Sequence, residues 1–147
     1  MIILDLQIVS KNSDIPAQDQ FQQWLNAALL PKYDNTELTI RLVEQAESQT
    51  LNSQYRHQDK PTNVLSFPFE VPDGVDLNLL GDLVICVDIV NQEALEQHKT
   101  LSAHWAHMVI HGCLHLLGYD HVNECDAEQM ESLEIDILAK LGFNNPY

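Results

Sequence analysis

Basic residues are nearly missing from this chain. Seven Lys and Arg face 22 Asp and Glu, for a net charge of −15 over 147 residues. A protein that coats nucleic acid through a broad basic surface is excluded by that balance. No apolar run is long enough to span a membrane. The start, Met1-Ile2-Ile3-Leu4-Asp5, lacks the basic residues and small-residue cleavage site of a secretory signal. Cysteine is sparse too. Cys86, Cys113 and Cys125 are odd in number and scattered, so no disulfide framework is expected, and a reducing cytoplasm is the expected compartment. Repeats, low-complexity tracts and long linkers are also missing.

Hydrophobic residues make up 45% of the chain, enough for a core, and residues 1–147 read as a single domain. Ile2 to Val9 reads as a strand with Ile2, Leu4, Leu6 and Ile8 on one face. Ala17 to Leu30 has Phe21, Trp24, Leu25, Ala28 and Leu29 at helical spacing, and Pro31 ends it. Glu37 to Val43 is a second strand, and residues 44–54 a short helix. Thr62 to Phe67 is rich in β-formers, and Pro68 places it at an edge or ends it. Residues 71–80 carry turn formers and read as a loop or wide hairpin. Leu83 to Val87 is a central strand, and Asp88 caps a helix to about His98. Thr100 or Ser102 caps a helix to about Leu117, and a last helix covers Glu124 to Leu141. The expected fold is α+β: a small mixed sheet with about five helices packed on it, and a metal site at the end of a helix.

Chemistry concentrates in His111-Gly112-Cys113-Leu114-His115-Leu116-Leu117-Gly118-Tyr119-Asp120-His121. Histidines four apart share a helix face, one turn apart, and can reach one metal ion. Gly118 allows the helix to stop in the left-handed conformation, so that His121 can return as a third ligand. Three protein ligands leave a position open, the layout of a catalytic zinc. The spacing resembles the metzincin zinc-protease signature, with one departure. Where that class has a glutamate as general base, this chain has Gly112. Cys113 points elsewhere and reads as core. His104 and His107, on the preceding turns, read as packing or surface residues. Asp120 either orients a ligand or stabilises the turn. The acids from Asp120 to Asp136, Glu134 among them, read as a solvated face. Arg56, His57 and Lys60 form the one local basic cluster.

These residues resemble the bacterial YbeY rRNA-maturation family. The histidine block carries the likeness, together with Leu51-Asn52-Ser53-Gln54-Tyr55-Arg56, Asp59 to Pro68 and Gly81-Asp82-Leu83-Val84-Ile85. Many members have Asp where this chain has Asn63. The resemblance implies a single-strand-specific, metal-dependent endoribonuclease. It would act in maturation of the three-prime end of the small-subunit ribosomal RNA and in ribosome quality control. It further implies one zinc ion on His111, His115 and His121, with Arg56 and His111 needed for activity.

Expected partners are ribosomal RNA and the small ribosomal subunit, with a ribosomal protein or a GTPase helping an acidic protein reach its substrate; neither DNA nor a membrane is expected. Arg56 suits phosphate because its planar fork matches phosphate oxygens. Two other readings stand beside this one. The first is a divergent zinc protease or amidase with Asp82 or Glu70 as base. The second is a non-catalytic ribosome-assembly factor with a structural metal.

Overall fold

The computed structural model describes residues 1–70, 73–74, 78–120 and 122–147. Among them the element order is β1 (Ile3–Ile8), α1 (Gln18–Leu29), β2 (Glu37–Val43), α2 (Gln45–Arg56), β3 (Val64–Pro68), β4 (Leu79–Cys86), α3 (Val87–Glu96), α4 (Leu101–Leu116) and α5 (Glu124–Lys140). The four strands form one mixed sheet in the order β1-β2-β4-β3. β1 and β4 run parallel to β2, and β3 runs antiparallel to β4. The α+β class, the element order and the five helices agree with the sequence reading.

Alternation along the strands sorts side chains to two faces. Leu38, Ile40, Leu42, Leu83 and Ile85 join the main core with Phe21 and Trp24 of α1 and Trp105 of α4. Phe21 holds that core edge-on to both indoles, with ring centroids 5.6 Å from Trp24 and 5.8 Å from Trp105. Val43, Leu65 and Val84 face the other way, where Leu51 of α2 covers them. α4 is buried along almost its whole length, between the sheet and the helices around it.

Three local expectations need correction. β4 begins at Leu79, not Leu83, because Leu79 pairs with Glu37 across the sheet. Val71, Pro72 and residues 75–77 of the expected loop lie outside the described residues. Asp88 does not cap α3: the helix starts at Val87 directly after the strand, and the Asp88 carboxylate instead accepts from Asn12 Nδ2 at 2.9 Å. Ile8, placed on the inner face of β1, is half exposed, because β1 is an edge strand and the core beneath it ends at Leu6.

Candidate metal centre

The site is built on α4. Thr100 caps its start, with Oγ1 accepting from the Ala103 amide at 3.1 Å. Its end follows the glycine signal. Gly118 sits at φ +99°, its amide reaches the His115 carbonyl at 3.0 Å, and the Tyr119 amide reaches the Leu114 carbonyl at 3.0 Å. That pair of bonds is the Schellman stop, which only a residue at ease in the left-handed region closes cheaply.

On the partly exposed side of this helix, His111 Nε2 and His115 Nε2 lie 3.1 Å apart. Two nitrogens bonded to one tetrahedral zinc at the usual length would be about 3.3 Å apart. The pair therefore fits a shared ion. His121 lies outside the described residues, so its expected place as third ligand is not described.

Behind His111 lies a group that the sequence reading placed elsewhere. Glu134 of α5 was counted with the solvated acids, yet it is 0% exposed. It falls on the apolar stripe of its helix, with Met130, Ile137 and Leu138 buried beside it. A carboxylate persists there only when donors surround it. Glu134 Oε1 takes His111 Nδ1, and Oε2 takes His107 Nε2 at 3.1 Å and the Tyr147 hydroxyl. Burial by itself would raise its pKa. The hydrogen bonds from His107, His111 and Tyr147 outweigh that and hold the carboxyl down at about 2. Burial of the hydroxyl, and then its hydrogen bond to Glu134, push Tyr147 well above its ordinary range. His107, His111 and Glu134 offer ligand atoms all within 4.8 Å of one another and could hold a metal ion.

An acid on an apolar stripe is the signal that could have revealed Glu134. His107, one turn before His111, reads from sequence as a packing or surface residue, and the structure joins it to Glu134. His104, read the same way, does pack: it is buried and its Nε2 lies 3.0 Å from Glu93 Oε1. Cys113 is core as expected, and burial pushes its thiol up to about 12.

Gly112, read as a missing base, is a contact point. A Cβ there would meet Leu83 Cδ2 at 2.8 Å and Cδ1 at 3.2 Å, and its carbonyl accepts from Ser66 Oγ at 3.3 Å. The helix rests on the sheet at this residue, so a glutamate there would displace the Leu83 side chain.

Arg56, the last residue of α2, is exposed, and His57 closes that helix in the left-handed region at φ 59°. α2 covers the sheet face opposite α4, and the two faces meet along the edge strand β3. Tyr55 stacks edge-on against Phe67 of β3, with centroids 5.2 Å apart. Tyr55 thus holds this end of α2 against that edge, and among the described residues no hydrogen bond or ion pair joins Arg56 to the histidines. Asn63 occupies the start of β3: its Nδ2 donates to Glu93 at 3.2 and 3.3 Å and its Oδ1 accepts from the Val64 amide at 2.6 Å. Asp82 points to the α2 face, lining a pocket with Arg41, Tyr55 and Phe67. Among the described residues, no helix is long and apolar enough to cross a membrane.

Comparison with known proteins converges on one family. The family model for Endoribonuclease YbeY matches residues 6–142. A protein of Colwellia psychrerythraea (strain 34H) named Endoribonuclease YbeY is 59% identical over 150 residues, covering 99% of this chain and 96% of its own. A solution structure from Thermotoga maritima superposes with a TM-score of 0.60 at 28% identity, covering 97% of this chain and 92% of the other. With its histidine pair, glycine stop and mixed sheet in place, the chain belongs to the endoribonuclease YbeY family.

Proposed function

We propose that this protein is a metal-dependent endoribonuclease that cuts single-stranded RNA during ribosomal RNA processing, at the three-prime end of the small-subunit RNA, and in ribosome quality control. The observation that carries the metal part is the convergence of His111 Nε2 and His115 Nε2 at 3.1 Å, with a carboxylate behind His111. His111, His115 and His121 would hold one zinc ion, as imidazole nitrogens suit zinc. The alternative set of His107, His111 and Glu134 is less suited to a catalytic ion. Glu134 is fully buried and already takes three donors, whereas His111 and His115 are partly exposed. When bound, zinc supplies a Lewis acid for phosphodiester cleavage.

The chain's own residues do the rest. Arg56 clamps the phosphate through its guanidinium fork, and His57 and Lys60 add local positive potential at the same end of α2. That cluster lets RNA approach a body whose net charge is −15. The small ribosomal subunit, with a ribosomal protein or GTPase, would present the substrate in the cytoplasm. A protease or amidase reading is not favoured. Asp82 faces the sheet side opposite α4, and family membership points to RNA.

The test is cleavage of an unstructured RNA and of a duplex of the same sequence, with chelator and after zinc is restored. Cutting of the unstructured strand only, lost with chelator and regained with zinc, is the expected result. Equal cutting of both, or cutting unaffected by chelator, overturns the proposal.

A further inference from the structure

Glu134 takes three donors, and they come from two other parts of the chain. His107 and His111 belong to α4, Glu134 to α5, and Tyr147 to the segment after α5. That segment is fastened down. Lys99 Nζ donates to the Pro146 carbonyl at 2.8 Å, and within the segment itself the Tyr147 amide donates to Asn145 Oδ1 at 2.9 Å. The Tyr147 ring stands edge-on to His107, with centroids 5.3 Å apart. Among the described residues His107 Nδ1 is buried without a partner, so its ring is held from the Nε2 side, by Glu134 and Tyr147.

The imidazole of His111 therefore has two distinct ends. Nδ1 meets the carboxylate, and Nε2 meets His115. A carboxylate at one nitrogen requires the proton to be there, and this leaves the lone pair on the other. We propose that Glu134 is a positioning residue that holds His111 in its Nδ1–H tautomer with Nε2 turned toward His115, and that Tyr147 and His107 lock Glu134 in that orientation. The metal part of this inference rests on the reading of His111 and His115 as ligands. Such outer carboxylates sharpen both ring orientation and ligand basicity.

Two variants test it. Tyr147→Phe keeps the ring and removes the hydroxyl, and Glu134→Gln keeps the shape and removes the charge. Zinc affinity is read by chelator competition, and the His111 tautomer by ¹⁵N shifts of the zinc-free protein. Zinc binding should weaken by about 10-fold for Tyr147→Phe and by about 10- to 100-fold for Glu134→Gln. The His111 nitrogens should move from a single tautomer toward a mixture, with the Tyr147→Phe protein folded as wild type. Unchanged affinity and unchanged shifts in Tyr147→Phe and Glu134→Gln would make the cluster structural only and overturn the proposal. His115→Ala separates the failures. If it binds zinc like wild type, the ligand reading falls; if it loses zinc while the other two variants keep it, only the positioning role falls.

Discussion

His115 Nε2 and His111 Nε2 approach to 3.1 Å from adjacent turns of one helix, a spacing that one shared ion would also require. Removing one of the two nitrogens should empty the site. His115→Ala is expected to weaken zinc binding by at least about 100-fold, since losing a ligand exceeds the effect of losing an outer partner. Elemental analysis of the purified variant should find no stoichiometric zinc, and RNA cleavage should fall with it.

Arg56 behaves differently because it is exposed and makes no hydrogen bond or ion pair among the described residues. Arg56→Ala should cut RNA at least about 100-fold more slowly if its fork binds the phosphate in the transition state. Metal content should stay at the wild-type level, and stability should change by no more than about 0.5 kcal/mol. Turnover assays beside elemental analysis check both halves, and normal cleavage removes Arg56 from the site.

Asn63 donates to both oxygens of Glu93 at 3.2 and 3.3 Å. Asn63→Asp would replace that donor with a second carboxylate, and two carboxylates this close cannot both ionise. The variant should lose about 1–3 kcal/mol at neutral pH. One pKa of the pair is raised above its unfolded value, so the lost stability should return as pH falls and a shared proton is taken up. Denaturant melts at several pH values would show this; a loss that stays constant with pH would contradict it. An aspartate at 63 calls for a neutral or basic partner at 93.

Glu93 itself titrates below its ordinary 4.5. Burial opposes this, but the hydrogen bonds from His104 and Asn63 prevail. A carboxylate with a lowered folded pKa contributes stability above the unfolded value and loses it as pH falls through the folded one. Wild type should therefore weaken below about pH 4.5, and Glu93→Gln should be less stable at neutral pH with a shallower acid limb. Parallel acid limbs in thermal melts of the two proteins would argue against this.

Element order was readable because each strand and helix carries its own periodicity and punctuation. Phe21, Trp24 and Leu25 mark the buried face of α1, and Gly118 marks the stop of α4. The histidine pair was readable for the same reason, since i and i+4 are local. Glu134 and Tyr147 were not, because they meet His111 and His107 across 23 to 40 residues of chain. Only tertiary packing decides that one acid of an acidic helix turns inward, although its position between Met130 and Ile137 carried the hint. The cap of α3 was missed for a related reason: the strand passes into the helix at Val87 with no intervening turn for Asp88 to close.

The contact of Gly112 with Leu83 bears on how such a fold could change occupation. A zinc protease needs a glutamate beside its first histidine, and the histidine spacing here already matches that pattern. Yet the side chain that separates the two motifs would press on Leu83 and Val64 of the sheet. Leu83, buried in the core, would have to shift to admit it, beside the hydrogen bond from Ser66 to the Gly112 carbonyl. A glutamate at 112 would therefore come only with a repacked floor under α4, so the shared spacing of histidines does not by itself bring a protease's base with it.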